Sequence, residues 1–173
     1  IVHNIATLCM RRLGVHINLI KSMFATLQGV AHKIRTAYSV SDKTYGPDHD
    51  PPPLQGIGQG NGCGPATWAV MSTPVINMMR VAEFGALFVT AISVILITFV
   101  CYAFVDDTDI VHTAKDVYTT GDVILIEMQE AINMWEGGIR ATGGALVPAK
   151  SYWYLIDFVW ENGEWYYTNI EDI

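Results

Sequence analysis

Phe84 to Val105 is a run of 22 residues without a charge, and it stops on Asp106-Asp107-Thr108-Asp109. A charge-free stretch of that length leaves few choices. It crosses a bilayer as one helix, which takes about 20 apolar residues, or it lies within a protein as strand and turn. Its β-branched positions are Val89, Thr90, Ile92, Val94, Ile95, Ile97, Thr98, Val100 and Val105. Side chains branched at Cβ favour strand over helix. No Trp or Tyr belt brackets the run, and it leads straight into aspartates. A turn followed by a buried strand is the better reading, over about 15 residues. A small protein anchored by a single span at 84–105 is the competing one, and detergent-free solubility separates the two.

The chain has 173 residues, 51% hydrophobic and only 16% charged, against a usual charged share of about 25%. Such a composition excludes disorder for most of its length. It suits one domain with a real core, or a large piece of a bigger one. The net charge of −7 argues against binding nucleic acid through net charge alone. That charge is unevenly spread. Residues 1–50 carry Arg11, Arg12, Lys21, Lys33, Arg35 and Lys43 against Asp42, Asp48 and Asp50, for a net +3. Residues 51–173 carry four bases and fourteen acids, for a net −10. Cys9, Cys63 and Cys101 are far apart with no CxxC pair, so neither a disulfide framework nor a zinc site is expected. A reduced intracellular setting, cytoplasm or nucleus, follows as the default. The start at Ile1, without Met and already on an apolar pattern, is expected of an excerpt from a longer chain.

Apolar spacing of three to four predicts a helix over residues 1–13 that stops at Gly14. A second helix is expected from an Asn18 cap through Ile20, Met23, Phe24 and Leu27 to Gly29. Val30 to Tyr38 alternates and predicts a half-exposed strand with Lys33 and Arg35 on its basic outer face. Residues 39–56 read as loop, with Pro51-Pro52-Pro53 inside it. A third helix should follow Pro65 and reach about Arg80, bent at Pro74. A fourth is expected from about Thr120 to Trp135, ended by Gly137-Gly138. Asn162-Gly163, between two aromatic and aliphatic runs, predicts a hairpin over 152–167. Met10, Met23, Met71, Met78 and Met79 read as core filler of the helices, and Trp153, Trp160 and Trp165 as core and hairpin contacts. His112 reads as a strand-end residue, not a ligand.

Two motifs can carry chemistry. Phe104-Val105-Asp106-Asp107 reads as strand, tight turn and strand with two carboxylates at the tip. Clustered carboxylates repel unless a cation lies between them, and an all-oxygen set suits Mg²⁺. Asp109 reads as a turn residue and not a ligand. The second motif is GIGQGNGCGP, residues 56–65, ahead of a helix. Glycines let backbone approach a ligand, and a helix N-terminus favours anions. It lacks the Gly-Lys-Ser/Thr of a phosphate loop and the strand of a dinucleotide fold. Taken singly, each motif is matched by a bland account: a polar turn, a loop.

Their order says more: Gln-Gly loop, helix, strand, Asp-Asp hairpin, helix, then Gly-Gly and Lys. This order resembles the palm of retroelement reverse transcriptases over nearly the whole chain. Gln59-Gly60 with Gly64-Pro65 looks like the family's Gln-Gly motif, which contacts incoming nucleotide and template. Phe104-Val105-Asp106-Asp107 is similar to its Tyr-x-Asp-Asp box, with Phe for Tyr. Gly143-Gly144-Ala145-Leu146 with Lys150 stands where the family has a Gly-rich turn and a lysine near the nucleotide phosphates. The hairpin Tyr152–Tyr167 stands where a primer grip would be. The family's third carboxylate and its sugar-selecting residue would lie just before Ile1, with the fingers, and the thumb would lie beyond the hairpin.

The resemblance implies an α+β palm: an antiparallel sheet with helices on one face, residues 1–150, and a primer-grip-like hairpin, residues 151–173. It implies RNA-directed DNA polymerisation in a retroelement, with Mg²⁺ or Mn²⁺ as cofactor. Partners would be dNTP and an RNA or DNA template with its primer, not a membrane. Asp106 and Asp107 would be catalytic and bind metal, with Lys150 at the pyrophosphate. Gln59, Gly60 and Phe104 would shape the nucleotide pocket. Lys33, Arg35, Trp153 and Tyr154 would contact nucleic acid. The isolated excerpt is expected to be inactive. A degenerate, non-catalytic palm that binds nucleic acid or serves as a scaffold piece is the remaining alternative.

Overall fold

Three of the helices end by turning one residue into the left-handed region. The computed structural model describes residues 2–44, 46, 56–57, 61–104 and 107–168. In it α1 (His3–Arg12) stops at Gly14, whose φ is +84°. The Gly14 N–H donates to Arg11 O and the Val15 N–H to Met10 O, the paired bonds of a Schellman end. Helix α3 (Cys63–Val81) closes the same way with Glu83 at φ +63°, its N–H on Arg80 O and that of Phe84 on Met79 O. Helix α4 (Gly121–Ala141) closes on Gly143 at φ +83°, with bonds from Gly143 N–H to Arg140 O and Gly144 N–H to Ile139 O.

Helix α2 (Ile17–Gly29) starts one residue before the expected Asn18 cap. The cap is His16, whose Nδ1 accepts the Asn18 N–H at 3.2 Å. Asn61 prepares α3: its Oδ1 accepts the Cys63 N–H at 2.9 Å. Pro65 falls in the first turn, as expected, where a missing N–H costs nothing. The helix continues through Pro74.

The chain forms two compact units, Ile1–Pro74 and Val75–Ile173. In the first, Ala6 and Met10 of α1, Ile20 and Phe24 of α2 and Met71 of α3 make one buried cluster. His3 is buried beside it and stacks on Phe24 at 4.6 Å. Its Nδ1 lies 3.1 Å from Gln28 Nε2 and its Nε2 lies 3.0 Å from Gly56 O. The amide can only donate and the carbonyl only accept, so the ring carries its proton on Nε2.

No strand forms over Val30–Tyr38, contrary to the alternating pattern. The segment turns back at Thr36, whose N–H donates to Ser39 O while its Oγ1 accepts the Tyr38 and Ser39 N–H groups. The β-pairing within it is reduced to isolated bridges, Arg35 to Val40 among them. Alternation predicts a strand only where a partner strand takes its hydrogen bonds, and here local Ser and Thr bonds compete successfully.

The second unit holds α4 and the β-structure: β1 (Ala86–Val89), β2 (Leu96–Phe99), β3 (Cys101–Phe104), β4 (Asp107–Ile110), β5 (Phe158–Glu161) and β6 (Glu164–Tyr167). The protein is therefore α+β, with antiparallel pairing throughout. Instead of one sheet, the described residues form three two-stranded ladders, β1-β2, β3-β4 and β5-β6. The charge-free run folds as strands, and no helix among the described residues is long and apolar enough to cross a membrane. Yet the expected buried strand is open. Val100 and Ala86 are buried, but Leu87, Phe88, Val89, Leu96 and Ile97 are exposed, and Ile92 at the turn is 98% exposed. The β5-β6 turn is as expected: Asn162 and Gly163 both have positive φ, +52° and +89°, the primed geometry that matches strand twist.

Helix α4 runs past Gly137-Gly138 instead of stopping there. Both glycines are helical, and a helix stop needs a residue outside it. Gly138 has a different use: a Cβ there would meet Val75 Cγ1 at 2.7 Å and Met78 Cε at 3.1 Å. Gly137 has nothing within 4 Å. In an open helix interior Gly→Ala gains about 1 kcal/mol. Gly137→Ala should therefore raise stability by about that amount. Gly138→Ala should lower it by about 1–3 kcal/mol, because stiff Val75 must yield. Urea unfolding of both variants checks this, and a gain at both positions would refute the helix–helix contact.

Candidate active site: the carboxylate hairpin

Ladder register decides which side chains meet. Phe104 faces Asp107, Ala103 faces Thr108, Tyr102 faces Asp109 and Cys101 faces Ile110. Residues two apart on a strand share a face, as do residues directly opposite. Tyr102, Phe104, Asp107 and Asp109 therefore share one face, and Cys101, Ala103, Thr108 and Ile110 the other. Asp109 thus belongs to β4, not to a turn. It stands about 7 Å along the strand from Asp107, and both are exposed. Phe104 is 80% exposed at the tip end. Asp106 lies outside the described residues, as do Gln59 and Gly60.

Tyr102 also walls a groove of about 380 Å³ with Phe88, Ile97, Phe99 and Val111. Its ring stands 4.5 Å from that of Phe99. An apolar trough thus runs onto the face that carries the aspartates. Among the described residues no group of three or more His, Cys, Asp and Glu is placed to hold a metal. Asp107 and Asp109 supply hard oxygen donors of the type Mg²⁺ takes, sharing it with water and phosphate.

The other expected site residues are spread along the chain. Lys150 ends a short 3₁₀ turn, Pro148–Lys150, and is exposed. It is paired with no carboxylate among the described residues; the ion pairs there are His112–Glu127, Lys115–Glu83 and Arg140–Glu136. The preceding Gly143-Gly144 is accounted for by the α4 Schellman end. Lys33 and Arg35 are exposed in the first unit, on a turn-bearing segment and not a strand face. Trp153 and Tyr154 are exposed on the stretch before β5. Trp160 and Trp165 meet across the hairpin but are likewise exposed, so these aromatics do not form a core.

A buried polar group beside the hairpin gives no signal in the sequence. His112 follows β4 with its side chain 2% exposed. Its Nδ1 accepts the Gly85 N–H at 3.2 Å and its Nε2 meets Glu127 Oε2 of α4 at 2.8 Å. Because Nδ1 accepts, the proton sits on Nε2 and is donated to the carboxylate. Phe84 lies edge-on to the ring at 5.8 Å. A lone histidine gives no periodic signal, and Glu127 is 15 residues away, so nothing in the sequence pairs them. With both nitrogens engaged, His112 positions the base of the hairpin and is not free to move a substrate proton.

Cys101 opens β3 beside this clamp. Burial pushes its thiol up, and the Arg80 guanidinium offsets part of that shift. Such a thiol is a poor nucleophile at neutral pH.

Comparison with known protein families, with curated proteins and with solved structures finds no match.

Two measurements follow from this geometry. His112→Ala removes an acceptor and a donor at once and should cost about 2–4 kcal/mol. Glu127→Gln keeps an acceptor oxygen and should cost under about 1.5 kcal/mol. Equal losses in urea unfolding would assign the whole effect to the Glu127 charge and refute a clamp that works through hydrogen bonds to both ring nitrogens. For Cys101, peptide-resolved iodoacetamide labelling of the native chain should rise with pH beyond the point where a free cysteine levels off. Denaturation should abolish the difference, and a labelling rate already at its plateau at neutral pH would contradict the raised thiol.

Proposed function

We propose that the chain is the palm segment of a retroelement RNA-directed DNA polymerase, adding dNTP to a primer 3′-hydroxyl. The observation that supports this most is the β3-β4 register. It pairs Phe104 with Asp107, two residues that flank Val105-Asp106 in sequence, in the order of the family's catalytic box. The helix after the Gly-rich loop, the helix after the hairpin and the Asn-Gly hairpin follow in the family's order as well.

In this reading Asp106 and Asp107 would hold Mg²⁺ or Mn²⁺ together with the family's upstream carboxylate, and the cation would supply Lewis-acid activation of the 3′-hydroxyl and charge stabilisation of the leaving pyrophosphate. Lys150 supplies a positive charge to that pyrophosphate. Gln59, Gly60 and the open ring of Phe104 shape the nucleotide pocket. Lys33 and Arg35 offer phosphate contacts of the sequence-independent kind. The template and primer, RNA or DNA, are the macromolecular partners, and the setting is intracellular.

Mg²⁺-dependent primer extension tests the reading, using the chain joined to an upstream strand that carries the family's aspartate. Asp106→Asn and Asp107→Asn should each lower extension by at least about 100-fold, the size of a lost metal or charge contact. Lys150→Ala should lower it by about tenfold or more. Unchanged extension in Asp106→Asn would remove the catalytic assignment. Template binding without extension in the parent would favour a non-catalytic palm.

A further inference from the structure

We propose that Asn162-Gly163, at the turn of β5-β6, is a site of spontaneous covalent modification. Asn162 cyclises onto Gly163, loses ammonia and passes to aspartate and isoaspartate, which unfastens the hairpin. The proposal goes beyond the polymerase reading and does not rest on it.

The sequence holds two Asn-Gly pairs, Asn61-Gly62 and Asn162-Gly163. Both offer the same reacting groups: a side-chain amide followed by a backbone nitrogen with no Cβ beside it. Neither glycine has anything within 4 Å of the place a Cβ would take. Sequence and steric access therefore do not separate the pairs; hydrogen bonding and local stability do. Asn61 is half-buried and held at both of its carbonyl oxygens. Its Oδ1 accepts the Cys63 N–H at 2.9 Å and its backbone O accepts the Gly64 N–H at 2.9 Å. Swinging its amide carbon onto Gly62 N breaks the first of these bonds, at the head of α3.

Asn162 is exposed, and its side chain forms no hydrogen bond with the described residues. It stands at the tip of a ladder in which, among the described residues, β5 and β6 pair only with each other. An isolated two-stranded hairpin is marginally stable in water. Glu161 lies directly opposite Glu164, and like charges facing each other across a ladder weaken it further. The rings of Phe158, Trp160, Trp165 and Tyr167, which meet across the strands, stay exposed. With so little buried, the turn opens at low cost. Opening sets the rate, because Asn162 must leave its primed-turn conformation, φ +52°, before the ring can close.

The chemistry balances. Gly163 N gives up its proton and attacks Asn162 Cγ. The new C–N bond closes a cyclic imide as the Cγ–Nδ2 bond breaks, and Nδ2 leaves as ammonia with that proton. Water, the sole co-reactant, then opens the imide at either carbonyl. Opening at one gives aspartate, which puts a third carboxylate between Glu161 and Glu164. Opening at the other gives isoaspartate, whose main chain runs through the side-chain carbon and gains one atom. A two-residue primed turn cannot absorb that atom and still match the strand twist.

The test ages the full chain in mildly alkaline buffer and follows both asparagines by peptide mapping with mass spectrometry. Asn162 is expected to react at least about tenfold faster than Asn61, the ratio being set by local opening. In guanidinium chloride the two rates should converge to within about twofold, since folding alone separates them. Glu161→Gln/Glu164→Gln should slow Asn162 by about two- to fivefold relative to the same variant denatured. Hydrogen exchange resolved to residues 158–167 should show protection lost in the isoaspartate form. The proposal is overturned if Asn61 reacts as fast as Asn162 in the native chain, or if the difference survives in guanidinium chloride. It is equally overturned if the Glu161→Gln/Glu164→Gln chain ages at the wild-type rate, or if isoaspartate leaves the protection of 158–167 unchanged.

Discussion

His112 takes the Gly85 N–H on Nδ1 and gives its Nε2 proton to Glu127. Through one imidazole the start of β1, the end of β4 and the middle of α4 are fixed to one another. Each of these groups would be costly to leave unpaired in a buried place. The ring therefore specifies position as much as it stabilises. Its effect reaches the carboxylates because β4 is short, running from Asp107 to Ile110. The face that carries Asp107 and Asp109 begins only a few residues from the clamp. Val111 adds a second tie at the same level, its N–H donating to Val100 O.

The charge-free run shows what a hydrophobic pattern conveys and what it omits. Branching at Cβ identified strand over membrane helix correctly, since that preference is local. Burial is not local. A continuous apolar stretch marks surface that is costly to wet, but it does not say which element covers it. In this protein Val100 and Ala86 are covered, while Phe88, Ile97 and Tyr102 line an open trough. The same limit explains the segment from Val30 to Tyr38. Its alternation is real, yet a strand needs a partner for its backbone groups, and Thr36 offered a nearer one.

Glycines were legible where they ended a helix and misleading where they sat inside one. Gly14 and Gly143 both adopt positive φ after the last turn, and Gly14 is foreseeable from the apolar pattern that precedes it. Gly137-Gly138 looks the same in sequence. Only the approach of Val75 to Gly138 shows that the residue is small for a neighbour's sake. Gly143-Gly144 carries the converse lesson. Its place in the proposed nucleotide site comes from order along the chain, whereas its backbone is already explained by closing α4. The Asn162-Gly163 turn was legible, because a two-residue primed turn is a local requirement, but the strands begin at Phe158 and not at Tyr152.

At the candidate site, the hairpin was legible, while its register and the surrounding field were not. The sequence places two aspartates at a hairpin tip. The structure adds Asp109 to the same face as Asp107 and backs it with aromatic rings. Carboxylates spaced along one exposed face raise the cost of bringing phosphates near unless cations arrive with them. Acidic charge at β4 and acidic charge at β5-β6 are thus placed differently. At β4, Asp107 and Asp109 share the face of Tyr102, which walls an open apolar trough. At β5-β6, Glu161 and Glu164 stand on the face opposite the aromatic rings. Net charge alone, −7 over the chain, cannot distinguish these two placements; the faces on which the carboxylates stand can.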